Sequence, residues 1–205
     1  MRRGRAFSDL VRRLPRTKAA LAFAERKHAG QRRKVDGAPF IEHPVEVARL
    51  LFDAGAPDDV IAAGLLHDTL EKTNTDVTEL RERFSARIAG IVAAVSEDES
   101  IAGYATRKAA LRRQVEAAGP EAMMVFAADK VSKVRELSVG PPGSEAARLS
   151  ATVSRTRHRR LTHYRRCLEL VERHLADSPL VAQLRAELEL RTAVAVRPRA
   201  LAGAA

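Results

Sequence analysis

Cysteine is nearly absent from the sequence, because only Cys167 among 205 residues carries a thiol. No disulfide can form within the chain, and a single cysteine is typical of a protein kept in a reducing compartment. No run of 18 apolar residues occurs, and the basic residues 1–5 are not followed by the apolar core of a signal peptide. We therefore expect a soluble cytoplasmic protein without a membrane segment.

Alternation of apolar and polar residues, which is typical of half-buried strands, is also missing. Apolar residues instead recur at helical spacing, as Val47, Ala48, Leu51 and Phe52 do, and this pattern predicts an all-α fold. Thr17 is the predicted N-cap of the first helix. We predict helices over residues 17–30, 44–54, 58–72, 76–96, 104–118, 121–137, 144–176 and 179–191.

The chain is strongly basic, with a net charge of +10. A polyanionic partner is expected, either a phosphorylated small molecule or a nucleic acid, and charge alone does not choose between them. Residues 1–16 form a predicted basic arm, for which we expect salt-sensitive attraction to polyanions without specific nucleic-acid binding. Residues 17–192 are predicted to form one helical domain, and the alanine-rich residues 193–205 a disordered tail.

A His-Asp pair inside an apolar run is the most informative stretch of the sequence. It lies in GLLHDTLEK, residues 64–72. In a continuous helix, residues three and four apart share a face, so Glu71 is expected beside both His67 and Asp68. Such a trio can hold a divalent metal and move protons.

Two residues elsewhere in the chain can complete this group. His43 directly precedes Pro44 at the expected start of a helix, and Asp129 lies among small apolar residues, where a buried carboxylate needs a cation or a donor. Two imidazoles and two carboxylates suit Mn²⁺, Fe²⁺ or Zn²⁺ better than Ca²⁺, and no thiolate is available for a structural zinc. The residues alone also allow an ordinary helix-end hydrogen bond for the His-Asp pair and a structural role for His43.

Four short motifs together resemble one known family. They are KHAGQRRK at 27–34, GAPFIEHP at 37–44, LLHDTLE at 65–71 and ADK at 128–130. This succession resembles the HD superfamily and, more narrowly, the Rel/SpoT hydrolase domain and its stand-alone versions, the small alarmone hydrolases. The resemblance runs from about residue 18 to 190, and no synthetase domain is expected after it. It implies a single HD-domain helical bundle with a metal site between helices.

The resemblance also implies a reaction and roles for individual residues. The implied reaction is metal-dependent removal of the 3′-pyrophosphate from guanosine tetra- or pentaphosphate, with Mn²⁺ as the metal. Glu71 matches the residue that serves the attacking water, Arg33 and Lys34 match residues that line the nucleotide pocket, and Tyr164 matches a tyrosine that contacts the nucleotide. The implied metal ligands are His43, His67, Asp68 and Asp129.

Two departures from the family pattern add positive charge near this expected site. Lys72 stands where the family has an aspartate of the catalytic pair, and Lys133 stands where it usually has an asparagine. Lys72 can hold a substrate phosphate but not act as a base at neutral pH without a large pKa shift. We therefore expect slow hydrolysis of ppGpp, and two alternatives stay open: another phosphorylated nucleotide as substrate, with Lys133 in its pocket, or a catalytically degenerate binding module.

Overall fold

Helices account for all the regular secondary structure that is described. The computed structural model describes residues 14–137 and 151–196 together with Val11. Within these residues the only β-type pairing is an isolated bridge between Arg32 and Pro39. The predicted all-α fold is confirmed, and in the described ranges no helix is both long and apolar enough to cross a membrane.

The helices follow one another with short connections. They are α1 Pro15–Lys27, α2 Glu42–Asp53, α3 Asp58–Leu66, α4 Thr69–Lys72, α5 Val77–Arg83, α6 Ala86–Val95, α7 Tyr104–Ala118, α8 Pro120–Glu136, α9 Ala151–His174 and α10 Pro179–Val196.

Helices α3 and α8 form the centre of the bundle. Residues 60–66 of α3 are all buried, and this helix packs against α1, α2, α6 and α8. Helix α8 in turn packs against α2, α3, α6, α7, α9 and α10. The approach of α2 to α3 is close, because a Cβ atom added to Gly64 would lie 2.4 Å from Cδ1 of Leu51. The two most enclosed helices are therefore the ones that lead into the predicted site.

The helix predicted over residues 58–72 is broken after Leu66, so the prediction of one continuous helix was wrong. His67 and Asp68 form a turn between α3 and α4. The His67 ring Nδ1 contacts the carbonyl oxygen of Gly64 at 2.8 Å, and the Thr69 hydroxyl donates to that of Leu66 at 2.7 Å. These side chains bind carbonyl oxygens at the end of α3, which lets the chain leave the helix at this point.

The helix predicted over residues 76–96 is also broken, at Phe84 and Ser85. Asp76 begins α5 by accepting from the Glu79 backbone N–H at 2.8 Å. Ser85 begins α6 in the same way by accepting from the Ile88 N–H at 3.1 Å. A second N-cap inside an unbroken apolar pattern therefore divides it into two helices.

Thr17 is not the N-cap of the first helix. Helix α1 begins at Pro15, and the Thr17 hydroxyl lies inside it, donating to Asp58 Oδ1 at 2.6 Å. The Asp58 carboxylate also accepts from the backbone N–H groups of Arg16 and Thr17, at 3.1 and 2.8 Å. A carboxylate from α3 thus satisfies the start of α1, which local sequence does not reveal.

The chain ends differ from the prediction where they are described. Helix α10 continues to Val196 rather than ending near residue 191, and residues 15 and 16 belong to α1. Most of the predicted basic arm, residues 1–10 and 12–13, lies outside the described residues, as do 138–150 and 197–205. The proposed boundaries of arm, domain and tail stay predictions.

Two polar groups of α9 lie in the core. Cys167 is fully buried, and burial raises the pKa of its thiol to about 11, as befits a small apolar core residue. His163 is 6% exposed and accepts from Arg112 at Nδ1. Burial and the nearby charges of Lys130 and Lys108 lower the pKa of His163 to about 2, so its ring is neutral in the folded protein.

We expect His163 to make the protein less stable as the pH falls. The unfolded imidazole, with a pKa near 6.5, takes up a proton that the folded one does not, so stability is lost below that value. This single group should lower the free energy of unfolding by about 2 kcal/mol between roughly pH 7.5 and 5. In His163→Gln, which retains an acceptor for Arg112, urea unfolding should show a correspondingly smaller loss; equal losses in both proteins would contradict the prediction.

Candidate metal centre

The four predicted metal ligands lie together in the interior of the bundle. His43 comes from the first turn of α2, His67 and Asp68 from the turn after α3, and Asp129 from the middle of α8. The two Nε2 atoms of the histidines are 3.2 Å apart, and Asp129 Oδ1 lies 3.2 and 3.5 Å from them. Asp68 Oδ2 lies 3.6 and 3.4 Å from the same nitrogens. None of the four residues is more than 5% exposed.

Both imidazoles present an unprotonated Nε2 to this space when neutral. Nδ1 of His67 faces the Gly64 carbonyl at 2.8 Å, and a carbonyl only accepts, so Nδ1 carries the proton. Nδ1 of His43 lies 2.9 Å from the Ser132 hydroxyl, which donates its own proton to Glu46 and therefore accepts from His43. Two nitrogen lone pairs thus converge, which is the arrangement of histidines that ligate a metal.

One buried oxygen of each carboxylate in the cluster lacks a hydrogen bond from the described residues, although Lys130 donates to the other oxygen of Asp129 and Lys133 forms an ion pair with its Oδ1. Asp68 Oδ2 and Asp129 Oδ1 are buried and have no hydrogen-bond partner among these residues. Burying such oxygens beside two nitrogen lone pairs is costly unless a cation lies among them. Potential ligand atoms of His43, His67 and Asp129 all lie within 4.8 Å of one another, so the cluster fits a divalent metal ion.

Charges around the cluster keep both aspartates ionised. Burial alone would raise the pKa of Asp68, but the charge that His67 carries when protonated, together with the charge of Lys133, outweighs burial and lowers that pKa far below its usual value. Burial is likewise outweighed at Asp129, where Lys130 and Lys133 lower the pKa of the carboxyl. Both groups therefore offer anionic oxygens to a metal at neutral pH.

The two lysines that depart from the family pattern both approach the ligands. Lys133 Nζ is 3.0 Å from Asp129 Oδ1, the same oxygen that faces the histidines. Although burial opposes it, the carboxylates of Asp129 and Asp68 raise the pKa of Lys133 well above its ordinary value. Lys72 Nζ lies 4.0 Å from Asp68 Oδ1 and 5.8 Å from the centre of the Phe40 ring. An ammonium group thus adjoins each carboxylate of the cluster.

A cavity of about 490 Å³ opens beside the cluster. Its lining combines basic, aromatic and ligand residues: Gln31, Arg32, Arg33, Lys34, Phe40, His43, Asp68, Lys72, Lys133 and Glu136. Arg33 is held by Asp36 at 2.5 Å and also contacts Glu42 and Glu136, at 3.3 and 3.8 Å. The cavity is therefore suited to an anionic ligand that also offers a ring to Phe40.

Besides the predicted ligands His67 and Asp129, the predicted site residues Glu71 and Tyr164 do not line this cavity. Glu71 Oε1 accepts from the backbone N–H of Glu97 at 2.7 Å, and the carboxylate of Glu71 helps to raise the pKa of Lys133. Tyr164 is 5% exposed and lies in the core, next to His163 on α9. The roles implied for Glu71 and Tyr164, like those of the cavity residues, stay predictions.

Sequence reasoning missed three residues that surround His43. Ser132 and Glu46 form hydrogen bonds that lead away from its Nδ1, and Glu136 Oε1 lies 3.6 Å from the same nitrogen. Two of them could have been predicted from helical spacing. Glu46 follows His43 by three residues and Ser132 follows Asp129 by three, so each shares a helix face with a predicted ligand.

A family model and curated proteins resemble this chain in sequence. The family model described as HD domain matches residues 20–155. The guanosine-3′,5′-bis(diphosphate) 3′-pyrophosphohydrolase MESH1 of Danio rerio is 42% identical over 134 residues, which cover 62% of this chain and 72% of that protein. Its Homo sapiens counterpart is 40% identical over 122 residues, which cover 58% and 68%.

Solved structures resemble it in fold over a longer range. A structure described as a metazoan ortholog of SpoT that hydrolyses ppGpp superposes with a TM-score of 0.72 and 24% identity, covering 86% of this chain and 95% of that one. The protein lmo0812 of Listeria monocytogenes EGD-e gives a TM-score of 0.62 at 25% identity, covering 75% and 98%. The chain belongs to the HD-domain family, so the predicted family and helical fold are confirmed.

We expect metal retention to depend on the clustered side chains. Replacing His67 or Asp68 by Ala removes a donor that the other ligands cannot replace, so elemental analysis after Mn²⁺ loading and desalting should find no bound metal. His163→Gln, which alters a buried histidine outside the cluster, should retain metal as the wild type does. A wild-type protein without metal after this treatment would contradict the prediction.

Proposed function

We propose that this protein is a metal-dependent hydrolase that removes the 3′-pyrophosphate from guanosine tetra- or pentaphosphate. The observation that carries the proposal is a buried cluster of two histidines and two aspartates that adjoins a basic cavity of about 490 Å³. The names of the curated relatives MESH1 describe the same reaction. We place the protein in the cytoplasm, because its single cysteine is a buried thiol that suits a reducing compartment.

The proposed metal is Mn²⁺, with Fe²⁺ and Zn²⁺ as alternatives, held by His43, His67, Asp68 and Asp129. Nitrogen and oxygen donors in this proportion are compatible with each of these ions. The chemistry supplied by a bound metal is neutralisation of phosphoryl charge and a lower pKa for an attacking water. No nucleophilic side chain is required, and Cys167 is a protonated core thiol.

Glu71 is the proposed proton carrier of the reaction. Its Oε1 is held by the Glu97 N–H, and its other oxygen has no hydrogen-bond partner among the described residues. That oxygen can orient a water and accept its proton. Glu71 lies in α4, after the turn formed by His67 and Asp68. Its position therefore depends on this turn, and not on one continuous helix shared with His67 and Asp68 as the sequence predicted.

The basic residues of the cavity are the proposed substrate contacts. Arg33 is fixed by its carboxylate partners, whereas Lys34 makes no ion pair with any described residue and can meet a phosphate directly. Lys133 lies between the ligand Asp129 and the cavity, where its ammonium group can contact a phosphate next to the reaction centre. Tyr164 is kept as a proposed nucleotide contact on the evidence of the resemblance alone.

The function is tested by incubating the purified protein with ppGpp and pppGpp in the presence of Mn²⁺ and separating the products by anion exchange. We expect GDP or GTP together with pyrophosphate, and no reaction after chelation with EDTA or in Asp68→Asn. Release of single phosphates, or no turnover of either alarmone by the metal-loaded protein, would refute the proposal.

The ammonium groups of Lys72 and Lys133 favour a second candidate, hydrolysis of a different phosphorylated nucleotide. Both line the cavity and both stand within 4.0 Å of a ligand carboxylate. A panel of nucleotides carrying 3′-phosphate or 3′-pyrophosphate groups separates this candidate from the first through kcat/KM. Tight nucleotide binding without turnover of any member would instead indicate a catalytically degenerate binding module.

We expect Lys72 to slow the reaction on ppGpp for two reasons. An ammonium group at this position cannot act as a base, and its positive charge pairs with the Asp68 carboxylate that is proposed to bind the metal. Lys72→Asp should raise kcat at saturating Mn²⁺ by about tenfold or more, a modest gain beside the ~10² typical of one acid-base group. Lys72→Met removes the charge without adding a carboxylate and should give a smaller gain. An unchanged or lower kcat in Lys72→Asp would show that the lysine belongs to a working site.

A further inference from the structure

A buried hydroxyl connects the predicted ligand His43 to a carboxylate on the same helix. His43 and Glu46 are three residues apart on α2, and Ser132 of α8 lies between their side chains with no exposed surface. Its Oγ is 2.9 Å from His43 Nδ1 and 2.7 Å from Glu46 Oε2. The three groups form a continuous hydrogen-bonded chain that runs away from the metal cluster.

The donor and acceptor in each of these two hydrogen bonds follow from the charge of Glu46. An ionised carboxylate only accepts, so the Ser132 hydroxyl donates to Glu46 and its oxygen is left to accept from His43 Nδ1–H. Glu46 is itself fixed, because Arg135 donates to its Oε1 at 2.9 Å and to Glu187 at 2.8 Å. Arg135 of α8, which is itself held by Glu187 of α10, therefore fixes the Glu46 carboxylate.

Another carboxylate near His43 is less suited to this task. Glu136 Oε1 lies 3.6 Å from Nδ1, which is too long for a hydrogen bond. Ser132 is thus the group that sets which ring nitrogen of His43 carries the proton.

We propose that Ser132 and Glu46 are positioning residues for metal binding, which hold the His43 imidazole with Nδ1 protonated and Nε2 free to ligate. Without the hydroxyl, the ring can place its proton on Nε2, and a protonated nitrogen cannot bind a metal. Partners of this kind commonly contribute 10–100-fold to metal affinity. The inference rests on the metal centre under the proposed function and does not require that ppGpp is the substrate.

The test measures affinity for Mn²⁺ and Co²⁺ in the absence of nucleotide, by calorimetry and by the visible absorption of bound Co²⁺. Ser132→Ala should weaken binding of both metals by about 10–100-fold and change the Co²⁺ spectrum. Glu46→Met should weaken binding to a smaller extent, because Ser132 remains but loses its acceptor. The double variant should bind no more weakly than Ser132→Ala, since Glu46 acts through the serine.

Thr17→Val is the matched control, because the Thr17 hydroxyl also is buried and donates to a carboxylate, that of Asp58, away from the cluster. It should lower the metal-free melting temperature as Ser132→Ala does and leave metal affinity unchanged. Wild-type affinity in a folded Ser132→Ala, additive losses in the double variant, or a wild type that binds neither metal would overturn the proposal. The expected affinities in a protein that does not hydrolyse ppGpp would refute the proposed function and leave this proposal standing.

Discussion

The burial of two ionised aspartates beside two imidazole lone pairs is the constraint on which this bundle depends. Each aspartate has one carboxylate oxygen within 3.6 Å of both histidine Nε2 atoms, and none of the four residues is more than 5% exposed. Such an arrangement is unfavourable unless positive charge is supplied to it. The central position of α3 and α8 follows from the same requirement, because only enclosed helices can hold these groups away from solvent and at fixed distances.

Positive charge reaches the cluster from the protein itself. Lys130 and Lys133 pair with Asp129, and Lys72 approaches Asp68. These ammonium groups keep the carboxylates ionised, and Lys133 contacts Asp129 Oδ1, the same oxygen that faces the two histidines. Lys133 would therefore compete with a metal ion for this oxygen, whereas Lys72 and Lys130 contact the other oxygen of their carboxylate.

The sequence predicted the groups that share a local motif and failed where a distant residue decides. Helical spacing predicted the fold class, and motif resemblance named the four predicted ligands that the structure brings together. The start of α1 is satisfied by Asp58 and His43 is held by Ser132, and both partners are more than 40 residues away along the chain. Contacts of that range leave no period in the sequence, because only the folded chain brings the partners together. The break after Leu66 is the local exception, because His67 contacts Gly64 three residues earlier within a continuous apolar pattern.

Gly64 serves two purposes that a single residue rarely combines. Its missing side chain admits Leu51 and so sets how closely α2 approaches α3, while its carbonyl oxygen fixes the ring of His67. One imidazole of the cluster begins α2 and the other follows α3. A larger residue at position 64 would meet Leu51 and push α2 away from α3, and would thereby change the separation of the two histidine nitrogens.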